Sequence, residues 1–293
     1  MIEITLRYDG ALAAQNAIDF YDAARALAGF ERSLALVTHL ALHGEVITQA
    51  TALRDAQILI HAPEEGSWKV VAAIVGAAFA VGSVGKDSPV GHVVTSIYDY
   101  VLYETMGFHA DYDKTLQQLH AEKLAAKGIT KQKINSAMEK TETSIADMHR
   151  PIVASKTATS AALFDHSPSG APRKLGPDMS VLTYEYLMQS IRSEEEDGIV
   201  GVVSSYNMNT FKGRLFVIEE QRPIPFELDE RARTSAIIGL ITRSLQMNAA
   251  QQNDPRAVVV VYGFRIESRS GRLKMVRVNR VIDNSDDFAA LME

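Results

Sequence analysis

Polar and basic residues in the last third of the chain have the composition of an anion-binding site. Lysine and arginine make charge-assisted hydrogen bonds to phosphate, asparagine and threonine add neutral ones, and tyrosine offers a ring for stacking a base. The alternative is that the asparagines form a hairpin turn and the cations lie on the solvent face of strands. The site predicted for a nucleotide or short single-stranded DNA comprises Tyr206, Asn207, Asn209, Thr210, Lys212, Arg214, Arg231, Arg233, Arg269, Arg272 and Lys274.

The uneven distribution of charge fits this prediction. Residues 201–280 contain 13 Lys and Arg against 7 Asp and Glu, a net charge of +6. Residues 1–200 contain 17 against 25, a net charge of −8. A basic module beside an acidic remainder favours a local anion site, although ordinary solvated surface gives the same counts.

Other residue patterns give little support for catalysis. The chain has no cysteine and no P-loop, dinucleotide-binding, serine-hydrolase or HExxH motif. His39 and His43 have the spacing of two metal ligands on one helix face, but no third ligand is apparent beside them. His109, Asp111 and Asp113 could hold a cation, although either aspartate more often caps a helix. We therefore expect a protein that is not an enzyme and has no metal or cofactor.

Hydrophobic periodicity predicts the strands and helices that must position the basic residues. A hairpin is predicted with its turn at residues 207–209, followed by a helix from Glu230 to about Asn248 and a second hairpin turning at residues 269–271. Near the N-terminus, a strand at residues 2–8, a helix from Asp19 to about His43 and a short strand at residues 57–61 suit a βαβ-like layer. The expected fold class is α+β.

The most apolar stretch of the chain, residues 70–84, reads VVAAIVGAAFAVGSV. At fifteen residues, the stretch is longer than a typical buried core segment and shorter than a typical membrane-spanning helix. Trp68 and Lys69 before it suit a membrane interface, and its small residues allow close helix packing. If the region from residue 70 to 103 forms a pore, the residues expected to line it are Gly76, Phe79, Ser83 and Asp99.

Composition also suggests the domain organisation. We expect an N-terminal α+β domain at residues 1–66 and a helical region at residues 67–164 that contains the apolar helix. Residues 165–178, rich in proline and glycine, are expected to be a linker. The C-terminal domain, residues 179–293, is expected to be β-rich, with one crossing helix and the ligand site.

Several whole segments of the chain resemble segments of a known protein family. The segments are IEITLRYDG, DFYDAARALAGFERSLALVTHL, EEGSWKVVAAIVGAAFA, SPVGHVVTSIYDYV, GFHADYDK and SYNMNTFKGR. They resemble the channel effector of Hailong-type bacterial anti-phage defence systems. That resemblance implies an oligomeric membrane channel, held shut by DNA oligomers that a partner nucleotidyltransferase makes and opened when the oligomer is lost. No binding residue follows from a motif of that family.

Two functions are consistent with these patterns. The first is a homo-oligomeric pore, such as a tetramer, that enters the bacterial inner membrane from the cytoplasmic side and is gated by an anionic nucleotide or DNA oligomer. The alternative is a soluble, cytoplasmic homo-oligomeric scaffold or nucleic-acid-binding protein. In the alternative, residues 70–84 form a helix buried in a subunit interface.

Overall fold

The fold was analysed in a computed structural model that describes residues 1–47, 53–61, 68–76, 89–108, 116, 118–166, 171–250, 254–269 and 271–283. The chain divides into two compact units, Met1–Met188 and Gln189–Glu293. Helices and strands are mixed along the chain, so the predicted α+β class is confirmed.

An antiparallel sheet organises the N-terminal unit. Its strands follow the order β2-β3-β1-β4-β5. In β1 the side chains of Ile2, Ile4, Leu6 and Tyr8 are fully buried, as the alternating pattern predicts. The strands are β1 (Ile2–Asp9), β2 (Gln57–Ile60), β3 (Lys69–Val75), β4 (Ser160–His166) and β5 (Arg173–Met179).

The core of this unit forms between the sheet and its helices, and α1 begins and ends where the sequence predicts. The Asp19 side chain accepts a hydrogen bond from the Asp22 N–H at 3.0 Å. Gly44 ends the helix in the left-handed region, at φ 68°. The helices are α1 (Phe20–His43), α2 (Pro89–Thr105), α3 (Gln118–Ala126), α4 (Lys131–Met148), α5 (Arg150–Val153) and α6 (Val181–Met188).

The prediction of a helix at residues 70–84 is wrong for its first half, because Lys69–Val75 is the strand β3. It pairs with β1 on one side and β2 on the other. Successive residues Ala72, Ala73 and Ile74 are buried, so both faces of the strand are covered. A strand buried on both faces has no alternation of polar and apolar residues, and its β-branched valines and isoleucine favour it over a helix.

The structure also changes the interpretation of the residues expected to line a pore. A Cβ atom on Gly76 would lie 2.4 Å from the Asp55 carbonyl oxygen, so this glycine lies against the backbone that leads into β2. An Asp99 carboxylate oxygen accepts the Gly176 N–H at 2.7 Å, which joins α2 to β5. Burial raises the pKa of Asp99. Phe79 and Ser83 lie outside the described residues, as do His109, Asp111 and Asp113.

The linker expected at residues 165–178 overlaps two paired strands instead. The end of β4 and most of β5 occupy it, and the division between the units follows Met188. Pro177 is tolerated because β5 is an edge strand. A Cβ atom on Gly176, whose φ is +65°, would lie 2.6 Å from the Leu102 Cβ, so glycine is required beside α2. The region predicted to be helical, residues 67–164, therefore includes β3 and most of β4.

The C-terminal unit is a closed five-stranded barrel in the order β10-β8-β7-β6-β9, with β9 and β10 paired to close it. Strands β8 and β10 are parallel, whereas the other pairs are antiparallel. Alternate residues of each strand fill the barrel, including Leu215, Ile224 and Val276. The strands are β6 (Ile191–Asn207), β7 (Lys212–Val217), β8 (Arg222–Leu228), β9 (Val258–Glu267) and β10 (Leu273–Asp283).

The helix α7 (Ser235–Ala250) connects β8 to β9, in agreement with the predicted crossing helix. The Ser244 hydroxyl donates to the Ala257 carbonyl at 2.5 Å and accepts the Val203 N–H at 3.0 Å, which fixes the helix to β6. The helix begins later than predicted, because Asp229 caps a separate 3₁₀ turn at Glu230–Ala232.

Candidate functional site

The turn between β6 and β7 is held by Asn207. Its side-chain oxygen accepts hydrogen bonds from the N–H groups of Asn209 at 2.9 Å and Thr210 at 3.3 Å. This is an Asx turn, in which the side chain takes the place of a backbone acceptor. The oxygen of Asn207 therefore shapes the turn, and the exposed side chains of Asn209 and Thr210 are the ones presented to solvent.

Tyr206, at the base of this turn, is stacked on Phe226 from the end of β8. The two ring centroids are 6.2 Å apart and the planes differ by 8°. The ring is partly exposed. Its hydroxyl oxygen is buried and has no hydrogen-bond partner in the described part of the chain. Burial raises the pKa of this phenol, and Arg233 opposes the shift.

Arg233 brings a cation to the same turn from the connection between β8 and α7. Its guanidinium lies 4.7 Å from the centre of the Phe211 ring, and its Nε–H donates to the Leu228 carbonyl at 3.2 Å. Arg231 is exposed on the adjacent 3₁₀ turn. Tyr206, Phe211 and Arg233 therefore lie near one another at the end of the barrel that carries the β6–β7 turn.

Lys212 and Arg214 occupy alternate positions of β7, so they share the outer face of the barrel. The Lys212 Nζ is 3.6 Å from a carboxylate oxygen of Glu227 on β8. Arg277 of β10 approaches the same oxygen at 3.7 Å. Glu227 therefore neutralises part of the positive charge, and Lys212 keeps a 60% exposed side chain.

Arg272 and Lys274 lie at the opposite end of the barrel from the β6–β7 turn. Because β10 runs parallel to β8, its first residues lie beside the first residues of β8. An Arg222 guanidinium N–H donates to the Leu273 carbonyl at 2.7 Å and marks this end. The structure thus divides the predicted ligand-binding residues into one group near the β6–β7 turn and another at the start of β10. The outer face of β7 and β8 lies between the two groups.

Sequence reasoning missed the aromatic partners and one buried cation. Phe211 and Phe226 complete the aromatic cluster. In the sequence, Phe211 precedes β7 and Phe226 follows it, and this placement could have identified them. Arg222 is only 2% exposed, and its Nε–H donates to a Glu220 carboxylate oxygen at 3.1 Å. The bonds of Arg222 join the β7–β8 hairpin to β10, which gives this residue a structural role.

Two further predictions concern metal binding and the membrane. The residues that the structure describes contain no group of three or more His, Asp or Glu side chains that could hold a metal ion. Among the helices that the structure describes, none is both long and apolar enough to cross a membrane. That finding overturns the predicted location in the bacterial inner membrane.

Two family models match the chain. One is described as Domain of unknown function (DUF7946) and matches residues 4–173, whereas the other is described as Family of unknown function (DUF7947) and matches residues 195–281. The first match lies within the N-terminal unit, and the second lies within the C-terminal unit. No curated protein and no solved structure matches the chain. The resemblance to the Hailong-type effector stays a prediction, because neither description states a function.

Proposed function

We propose that the chain, which belongs to the family described as Domain of unknown function (DUF7946), binds single-stranded oligonucleotides through its C-terminal unit. This is the nucleic-acid-binding alternative predicted from the sequence. The observation that carries the proposal is the combination of one barrel topology with cations on the outer face of β7 and partly exposed aromatic rings at the adjoining β6–β7 end of the barrel.

The topology supports the proposal at the level of the fold. The barrel has three antiparallel strands, a helix, and two further strands, and its third strand pairs in parallel with its fifth. This arrangement is that of the oligonucleotide/oligosaccharide-binding (OB) fold, whose ligands usually contact strands 2 and 3 and the loops between strands 1 and 2 and between strands 4 and 5. In this chain those strands are β7 and β8. Because one fold serves many functions, the side chains must carry the argument further.

The side chains on this surface suit a single strand. Lys212 and Arg214 on the outer face of β7 provide charge for phosphates, and Tyr206 and Phe211 provide partly exposed rings at the β6–β7 end of the barrel, next to that face. Stacking on aromatic rings needs bases that are not paired, which favours a single strand over a duplex. Arg272 and Lys274, at the far end, would extend the contact with the backbone across β7 and β8.

The proposal is tested by fluorescence anisotropy with the full chain and a labelled single strand of about 12 nucleotides, within the usual range for this fold. We expect binding at low salt and an affinity that falls with salt at a log–log slope of about −1.4 or steeper, which corresponds to two or more phosphate contacts. An unlabelled single strand should compete at least about tenfold better than a duplex of the same sequence, because only unpaired bases can stack. Absence of binding at low salt, or equal competition by the duplex, would contradict the proposal.

A further inference from the structure

The last strand of the barrel, β10, carries two arginines near the end from which residues 284–293 follow. The strand ends at Asp283, and Arg277 and Arg280 lie six and three residues before that end. The Arg277 side chain is 40% exposed. Arg280 is exposed, with its guanidinium 4.2 Å from the centre of the Tyr262 ring. The chain therefore leaves the barrel close to two cations of its outer surface.

Arg277 also belongs to a cross-strand row on the surface proposed for the oligonucleotide. It is paired with Glu227 of β8, and Glu227 is paired with Lys212 of β7. Because directly opposite residues of neighbouring strands share a face, the three side chains lie side by side. One Glu227 carboxylate oxygen is 3.7 Å from Arg277 and 3.6 Å from Lys212. Two cations share one carboxylate, so the row keeps a net positive charge.

Residues 284–293, which lie outside the described part of the structure, have the opposite charge. Their sequence, NSDDFAALME, contains the acids Asp286, Asp287 and Glu293 and no lysine or arginine. Phe288 directly follows the two aspartates. Carboxylates accept charge-assisted hydrogen bonds from the same lysine and arginine groups that bind phosphate, and an aromatic ring packs on a guanidinium or on another ring. The segment therefore offers the same combination of anions and a ring as a short single strand.

The segment is long enough to return to the cross-strand row. Since Asp283 is six residues beyond Arg277, the row lies roughly 20 Å back along β10. Lys212 is two strands to the side of Arg277, a further distance of roughly 10 Å. Ten residues span at most about 33–36 Å. Residues 284–293 can therefore reach from the end of β10 past Arg280 to Lys212.

We propose that residues 284–293 bind to the outer surface of β10, β8 and β7 in the same chain and compete there with the oligonucleotide. The competition rests on the proposed function, whereas the docking does not. A short tether gives an effective concentration of about 1 mM, so a contact with a Kd of about 0.5 mM occupies the surface for about two thirds of the time. The apparent affinity for the single strand is then lowered about threefold.

Paramagnetic broadening of NMR signals tests the docking in the full chain, without any oligonucleotide. The chain has no cysteine, so Met292→Cys takes a nitroxide label at a single site. At low salt we expect the amide signals of Lys212 and Arg277 to broaden more than that of Arg222, at the other end of the barrel. Added salt should reverse the broadening, because it screens the contact between exposed charges.

A mixed sample distinguishes the same chain from a second copy. An isotope-labelled chain without nitroxide is mixed with a nitroxide-labelled chain at natural isotope abundance, and we expect no broadening. Broadening in the mixed sample would place the segment on a second copy and overturn the proposal. Equal signals at Lys212 and Arg222 in the singly labelled chain would overturn it as well.

The competition is measured by fluorescence anisotropy with the labelled single strand. Asp286→Asn with Asp287→Asn should raise the affinity at least about twofold at low salt, because it releases the surface. The matched control, Glu194→Gln with Glu195→Gln, makes the same change in net charge at exposed positions of β6 and should raise the affinity less. An equal rise in both variants would show general charge repulsion and overturn the competition. Broadening at Lys212 in a chain that binds no oligonucleotide would support the docking and contradict only the proposed function.

Discussion

Replacing Lys212 and Arg214 together by glutamate is expected to lower the affinity for a single-stranded oligonucleotide by at least about 100-fold at low salt. Each of the two cations would lose a charge-assisted hydrogen bond to phosphate, worth about 1.5–3 kcal/mol. The new carboxylate at position 212 would also lie beside Glu227, which is already 3.6 Å from Lys212. Fluorescence anisotropy with the labelled single strand measures the change directly.

A matched control separates the site from the effect of net charge. Lys123→Glu with Lys127→Glu makes the same change in charge at exposed positions of the N-terminal unit, one within α3 and one just after it. This control should change the affinity less than about threefold, because it changes the net charge without removing a cation from the proposed binding surface. Thermal unfolding should confirm that both double variants fold. Equal losses in the two variants, or no loss in either, would exclude the β7 face as the binding site.

The second large effect concerns the pH dependence of stability in the N-terminal unit. His149 is fully buried, with its Nδ1 2.8 Å from the Ile145 carbonyl oxygen and its Nε2 3.0 Å from the Thr183 hydroxyl. Burial lowers the pKa of His149 from 6.5 to about 4. Below pH 6.5 His149 is protonated in the unfolded chain but stays neutral in the folded chain. The stability of the fold therefore decreases as the pH falls to about 4. The total loss is about 3 kcal/mol.

Urea unfolding at pH 7 and at pH 4 measures this effect in wild type and in His149→Asn. The asparagine amide keeps a donor for the Ile145 carbonyl but does not titrate. The pH-dependent loss of stability should therefore be about 3 kcal/mol smaller in the variant, whatever its stability at pH 7. Burial also lowers the pKa of His39 and His120, so some acid sensitivity remains in both proteins. The same pH-dependent loss in both proteins would show that His149 does not cause it.

Sequence patterns correctly predicted the elements whose conformation depends on residues close in sequence. The alternation in β1 and the caps of α1, Asp19 and Gly44, involve residues close in sequence. The hairpins β6–β7 and β9–β10 were predicted for the same reason. Closure of the barrel depends on the pairing of β6 with β9 and of β8 with β10, which are far apart in the chain. No periodicity within a strand reveals such partners.

Two segments were misinterpreted because tertiary pairing decided their conformation. A short apolar run has the same appearance in a central strand and in a buried helix, and the neighbours β1 and β2 select the strand for residues 69–75. The Pro- and Gly-rich composition at residues 165–178 is typical of a linker, yet an edge strand tolerates Pro177. Both errors moved the predicted domain boundaries.

The candidate site was predicted only in part. The residues from Tyr206 to Arg214 are close in sequence, so their common location follows from one hairpin. Arg233 joins them through its contact with Phe211, which the structure alone reveals. Arg272 and Lys274 are separated from the turn because β10 is parallel to β8, a pairing that the sequence does not show.

Photo-crosslinking tests the central claim most directly, because it reports both binding and location. A single strand carrying 5-iodouracil is irradiated with the full chain, and the attached peptide is identified by mass spectrometry. A base that stacks on an aromatic ring crosslinks efficiently to it. We therefore predict attachment at Tyr206 or Phe211. The crosslink should be lost in the variant that combines Lys212→Glu with Arg214→Glu. Crosslinks confined to the N-terminal unit, or to Tyr262 and Phe264 on β9, would contradict the account.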